Sequence, residues 1–75
     1  MEYRRLMDAL QSKGVSNRAA AATISMPEAT FRVKINGQTE GGFTMDEAIA
    51  IKTNLFPEMD IIYLFTRNEA DRATV

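Results

Sequence analysis

Two helical patterns separated by a short turn occupy the middle of this chain. The first, Asn17–Thr23, contains four consecutive alanines, which favour helix and are small enough to let a second helix cross closely. The second begins near Pro27, a residue suited to the first turn of a helix, and ends at Asn36-Gly37, a typical left-handed cap. Two short helices joined by a three- or four-residue turn are typical of a helix-turn-helix, so the sequence predicts this motif.

One further helix is predicted before this pair. Apolar residues recur there at helical spacing: Tyr3, Leu6, Met7 and Leu10. This spacing indicates a helix over about residues 2–12 with one apolar face. We expect Gly14 to end that helix in a left-handed conformation and Ser16 to cap the helix that follows.

Two more helices are predicted after the pair. Thr44 and Glu47 have the spacing of a capping box, which marks a helix start. Pro57 or Glu58 then begins a last short helix, which runs to about Phe65. The predicted fold class is therefore all-α, a compact domain of five short helices.

The last predicted helix has more apolar side chains than one helix face can bury. The run Ile61–Phe65 is far too short to cross a bilayer. We expect Ile62 and Phe65 to face the core. The remaining apolar residues are predicted to form a dimer interface, with burial under the C-terminal tail or the first helix as the alternative: Ile61, Tyr63 and Leu64.

The 75-residue chain contains neither cysteine nor histidine. A single core of this size yields roughly 3–5 kcal/mol, and no disulfide supplements it here. Homodimer formation is the remaining common source of stability. A zinc site is not expected without these ligands, and no other cofactor or small-molecule ligand is indicated. The chain also lacks a glycine-rich phosphate loop, and no serine has an evident base, so we predict that it is not an enzyme.

Charge is distributed unevenly along the sequence. Residues 1–39 carry six basic and three acidic side chains, a balance of +3, whereas residues 40–75 carry three basic and seven acidic ones, a balance of −4. The net charge of −1 does not by itself suggest a nucleic-acid partner. The uneven distribution fits a protein with one face turned toward phosphate and another turned away.

Three parts of the sequence together resemble one known family: residues 24–31, residues 34–37, and the series Phe43, Thr44, Glu47, Ala48, Ile51 and Leu55. They resemble the lambda-repressor-like (XRE) helix-turn-helix family, most of all its short phage and prophage members from Gram-positive bacteria. The resemblance covers about residues 3–66. It implies a five-helix domain over residues 1–66 that binds double-stranded operator DNA, commonly as a dimer, and regulates transcription. We expect a cytoplasmic protein with no membrane contact, and a flexible polar tail over residues 67–75.

Two positions depart from the family pattern. The family usually has glycine where this chain has Ser25, so either Ser25 adopts a positive φ or the turn is rearranged. The family usually has a serine or threonine cap where this chain has Pro27. We therefore expect Met26 or Ser25 to cap the second helix of the pair.

The side of that helix opposite Phe31 and Ile35 is expected to face DNA. Base contacts are predicted for Glu28, Ala29, Arg32 and Val33. A guanidinium at Arg32 can pair with guanine O6 and N7, and the two apolar residues can touch thymine methyls. Glu28 would either accept a hydrogen bond from cytosine N4 or favour its own helix start. Phosphate contacts are predicted for Asn17, Arg18, Lys34, Asn36 and Thr39.

A second interpretation also fits the sequence. The acidic C-terminal half could bind a repressor or a polymerase subunit, with the helix-turn-helix kept only as a scaffold. The overall acidity of the chain and the presence of Glu28 on the second helix favour this protein-interaction module. Salt-sensitive, competitor-resistant DNA binding distinguishes the first interpretation from the second.

Overall fold

The computed structural model describes residues 2–67, and over this range the chain forms five helices and no strand. The helices are α1 (Arg4–Lys13), α2 (Asn17–Thr23), α3 (Glu28–Ile35), α4 (Met45–Leu55) and α5 (Ile61–Phe65). The all-α prediction is confirmed for these residues. The predicted tail lies outside the described residues except for Arg67, whose guanidinium lies over the Tyr3 ring at 4.9 Å from the ring centroid.

The predicted helix ends are confirmed where they depend on local hydrogen bonds. The Ser16 hydroxyl accepts from the Ala19 amide at 3.0 Å, and Gly14 ends α1 in the left-handed region with φ 71°. Thr44 and Glu47 form the full capping box, in which each residue's side chain accepts from the backbone N–H of the other. These contacts satisfy N–H groups that a helix start leaves without partners.

One apolar core lies between the helices. Its most deeply buried large side chains come from four helices and the residue that follows α4: Leu6, Phe31, Ile35, Ile51, Phe56 and Leu64. Ala20 and Ala21 of α2 are also buried, and α2 packs on both α3 and α4. Their small side chains allow this close approach, because little volume separates the helix backbones.

Tyr3 connects the start of the chain to the loop between α3 and α4. Its amide donates to the Ile35 carbonyl at 2.9 Å, and its buried hydroxyl accepts from the Phe43 amide at 3.0 Å. The rings of Tyr3, Phe43 and Phe65 also pack together, with centroids 5.0 to 5.9 Å apart. This cluster holds the loop against the core, so α4 follows α3 in a defined orientation.

The start of α5 differs from the prediction. The segment after Phe56 forms a turn, and the helix begins at Ile61 with Asp60 as its cap, since the Asp60 carboxylate accepts from the Tyr63 amide at 2.9 Å. The later start changes which side chains face inward. Leu64 is fully buried, which agrees with the alternative that its side chain is covered within the chain and not by a partner. Ile62 is 74% exposed, so the prediction that Ile62 faces the core is wrong. Phe65 packs partly buried against the core.

Candidate nucleic-acid interface

The segment between α2 and α3 is a four-residue turn over residues 24–27. Ser25 has φ 56°, the left-handed conformation that was the first of the two predicted alternatives. Its amide donates to the Ala22 carbonyl at 3.1 Å, and the next amide, of Met26, donates to Ala21 at 2.9 Å. The backbone hydrogen bonds therefore maintain the tight turn although a non-glycine residue is strained in this region.

The prediction that Met26 or Ser25 caps α3 is wrong. Pro27 occupies the cap position with an extended backbone, and no side chain among the described residues caps this helix. A proline has no side-chain acceptor to offer, so the first N–H groups of α3 make no side-chain hydrogen bond within residues 2–67. Such groups can bind water or an anion.

The division of α3 into an inner and an outer side follows the prediction. Phe31 and Ile35 are buried, whereas Ala29 and Asn36 are exposed and Val33 is half-buried. Thr30 is exposed as well, although it is not among the predicted contact residues. At 100° per residue, Thr30 lies well outside the arc from Phe31 to Ile35, so helical periodicity alone places it on the outer side of α3.

Arg32 and Glu28 form an ion pair on the exposed side of α3. Arg32 Nη2 lies 2.5 Å from Glu28 Oε2, with 57% of the arginine side chain and 37% of the glutamate side chain exposed. The two residues are one helical turn apart, a spacing that favours such pairs. The carboxylate of Glu28 therefore has a partner within its own helix, and Arg32 retains donors that this contact does not use.

Lys34 lies away from the exposed side. Its Nζ donates to both carboxylate oxygens of Glu47 on α4, at 2.8 and 3.0 Å, and its side chain is only 17% exposed. Lys34 could make the predicted phosphate contact only by giving up this ion pair, since its charge is already paired inside the domain. The pair joins α3 to the capping box of α4.

Burial of Glu47 raises its pKa, but hydrogen bonds from Lys34 and from the Thr44 amide outweigh this effect and hold the pKa below its ordinary value. A lowered pKa in the folded state means that the ionised carboxylate stabilises the fold. The contribution is complete above the unfolded-state pKa, about 4.3, and is lost as the pH falls through the folded-state value.

Replacing Glu47 with glutamine is expected to destabilise the domain by about 1–2 kcal/mol at neutral pH, because a charge-assisted contact becomes a neutral one. At pH 3, below the unfolded-state pKa of about 4.3, part of this contribution is lost, so the stabilities of the two proteins should lie closer together than at neutral pH. Urea unfolding at both pH values measures this. A difference of the same size at pH 7 and pH 3 would contradict the role of the ionised carboxylate.

Arg18 differs from the other basic residues that the structure describes. It is exposed at the start of α2, and it makes no hydrogen bond, ion pair or ring contact within residues 2–67. Arg4, Lys13, Arg32 and Lys34 each form an ion pair. The uneven charge along the sequence is thus partly cancelled in the fold.

Two of the remaining predicted phosphate residues are less exposed than Arg18. Asn17 and Thr39 are both half-buried. The Thr39 hydroxyl accepts from the Gly42 amide at 3.2 Å, so it already takes part in the loop before α4. Asn36 is exposed at the end of α3.

The three predicted dimer residues do not form one surface. Leu64 is in the core, and Tyr63 lies beside α1, with the Arg5 guanidinium 4.4 Å from its ring centroid. Ile61 is half-buried and lines a groove of about 310 Å³ between α4 and α5, and Tyr63 is not part of that groove. Met45 and Ile62 line the same groove and are the most exposed large apolar side chains of residues 2–67.

Within the part of the chain that the structure describes, no helix is long and apolar enough to span a membrane, and no group of three or more acidic side chains could hold a metal ion. Comparison of the chain with models of known families, with curated proteins and with solved structures finds no match.

Proposed function

We propose that this protein binds double-stranded DNA in a sequence-specific manner and regulates transcription, as the resemblance to lambda-repressor-like proteins implies. In this proposal α2 and α3 act as a helix-turn-helix, and α3 enters the major groove. The observation that carries the proposal is the exposed side of α3, where Ala29, Thr30, Arg32 and Asn36 lie opposite the buried Phe31 and Ile35. A helix anchored on one side and free on the other has the shape that the major groove admits.

Arg32 is the proposed base reader. Its guanidinium lies on the exposed side of α3 and can donate to guanine O6 and N7 in the geometry that makes this contact common. Ala29 and the half-buried Val33 are small apolar neighbours that can accommodate a thymine methyl group. Asn36 remains a proposed phosphate contact at the end of the helix.

Arg18 is the proposed main phosphate contact. It is exposed and has no partner among residues 2–67, so binding a phosphate would break no existing ion pair. Arg18 lies at the start of α2, where the positive end of the helix dipole also favours phosphate. One N–H group there is already used, because the Ser16 hydroxyl accepts a hydrogen bond from the Ala19 amide. Asn17, on the same turn, would add a neutral contact.

Replacing Arg18 with alanine should weaken binding to every duplex by a similar factor, because a phosphate contact carries no sequence information. The slope of log K against log salt should become shallower by about 0.9, the value for one phosphate contact. Fluorescence anisotropy titrations of two unrelated duplexes at several salt concentrations measure both effects. Loss of affinity for one duplex only would contradict the phosphate assignment.

Binding as a homodimer remains part of the proposal, since one small domain makes few phosphate contacts and two-fold pairing doubles them. The proposed surface now centres on Ile61 and Ile62 with Met45, which border one groove. Sedimentation of the protein alone and with a bound duplex tests this point. A monomer under both conditions would reject the dimer.

The same groove favours a second candidate function, a protein-interaction module without strong DNA binding. Exposed apolar side chains such as Met45 and Ile62 mark interaction surfaces, and the pairing of Arg32 and Lys34 with carboxylates lowers the positive charge that α3 presents. A gel shift with DNA from the regions flanking the protein's own gene separates the two functions. Salt-sensitive binding that survives competitor DNA supports the regulator, and its absence supports the module.

A further inference from the structure

The ion pair between Glu28 and Arg32 has an asymmetric geometry. The contact uses Nη2 of the guanidinium, while Nε and Nη1 make no hydrogen bond within residues 2–67. A guanidinium carries five N–H donors in a planar fork, so a carboxylate on one edge leaves another edge available. Glu28 opens α3, and Arg32 follows one turn later with 57% of its side chain exposed.

Both basic residues of α3 are paired with carboxylates. Lys34, the other basic residue of α3, is held by Glu47, so neither cation of the helix is free of a carboxylate. Close to DNA, the Glu28 carboxylate would repel the phosphates, which are the part of DNA common to all sequences. A base pair that presents two acceptors to the free edge of Arg32 would offset that repulsion.

We propose that Glu28 is a positioning residue that determines specificity. It holds one edge of the Arg32 guanidinium, and its charge weakens binding to DNA that offers this arginine only phosphate contacts. This inference rests on the proposed DNA-binding function. In a matching complex, Arg32 donates to guanine O6 and N7 from its remaining edge while Glu28 keeps its contact with Nη2. On other sequences, Arg32 either leaves Glu28 for a phosphate or stays unpaired with DNA, and the repulsion from Glu28 is not compensated.

The test replaces Glu28 with glutamine, which has the same shape and lacks the charge. Kd is measured at several salt concentrations for a duplex selected from a random pool and for a scrambled duplex of the same composition. We expect E28Q to bind the scrambled duplex about three- to tenfold more tightly, with a salt slope steeper by about 0.9. The ratio of the two affinities should fall by a similar factor. A second variant, E28D, keeps the charge on a shorter side chain, so it should keep the wild-type salt slope.

Glu2 provides a matched control, because it pairs with Arg4 on α1 and the exposed fractions of the two side chains resemble those of Glu28 and Arg32. E2Q should leave the affinity ratio unchanged. An unchanged ratio in E28Q would overturn the inference while leaving DNA binding intact. Loss of affinity for the selected duplex, with the affinity for the scrambled duplex and its salt slope unchanged, would also overturn it, since Glu28 would then not oppose binding to phosphate. Failure of the wild-type protein to bind either duplex would reject the proposed function itself.

Discussion

Replacing Gly42 with alanine is expected to destabilise the domain by about 2–5 kcal/mol, which is comparable with the whole free energy of unfolding of a domain this small. Gly42 has φ 65°, and a Cβ added there would lie 2.1 Å from the Tyr3 hydroxyl oxygen. Relieving that overlap moves Tyr3, which leaves the buried Phe43 amide without its acceptor at a cost of about 1–3 kcal/mol. The left-handed backbone adds about 1–2 kcal/mol for a residue with a Cβ.

Gly14 is the matched control for this experiment. It has φ 71°, similar to Gly42, but a Cβ added there would meet no atom within 4 Å. Gly14→Ala should therefore show only the backbone cost, about 1–2 kcal/mol. Urea unfolding, monitored by circular dichroism, compares the stabilities of the two variants with that of the wild type. Equal stability of the two variants would contradict the account of the contact between Gly42 and Tyr3.

Replacing Arg32 with alanine is the second large expected effect. Affinity for the preferred duplex should fall by about 1–3 kcal/mol, a factor of roughly 5 to 150, and the preference should relax at one base pair. The reason is that alanine lacks the two guanidinium N–H groups that we propose donate to guanine O6 and N7. Anisotropy titrations of the preferred duplex and of its single-base variants measure both quantities.

Arg4→Ala serves as the control for Arg32→Ala. Arg4 also pairs with a carboxylate and its side chain is exposed to the same extent, 57%, but it lies on α1. The Arg4→Ala variant should leave the pattern of base preference unchanged. If Arg32→Ala weakened all duplexes equally, Arg32 would be a phosphate contact and the assignment of base readout would be wrong.

The parts of the fold that were predictable from the sequence are those set by neighbours a few residues apart. The cap at Ser16 needs one side chain and an amide three residues later, and the capping box needs the side chains and amides of Thr44 and Glu47, which are also three residues apart. Gly14 ends its helix because glycine enters the left-handed region without strain. The inner and outer sides of α3 follow from helical periodicity alone.

The errors came from contacts between residues far apart in the sequence, or from choosing among adjacent helix starts. Pro57 and Asp60 are both suitable residues for a helix start, and the choice of Asp60 turned Leu64 inward and Ile62 outward. Lys34 appeared free because its partner, Glu47, is on another helix. No periodicity within α3 indicates that contact.

At the candidate interface, too, features set by residues within one helix were predictable, and features that depend on the whole fold were not. The spacing of Glu28 and Arg32 indicates an ion pair. The predictions treat the two residues separately, with Glu28 either accepting from cytosine N4 or favouring its own helix start, and with Arg32 donating to guanine. The absence of partners for Arg18 within residues 2–67 became evident only in the folded chain, where the other exposed cations proved to be engaged. Thr30 was omitted although its position in α3 was sufficient to include it.

The most direct test of the DNA-binding proposal is selection of bound duplexes from a random pool by the wild-type protein, followed by titration of the enriched sequence at several salt concentrations. We expect one recurring motif, bound about 10³-fold or more tightly than random DNA, with an affinity that falls steeply as salt rises. A pool that stays random through successive rounds would contradict the assignment of the outer side of α3 to the major groove.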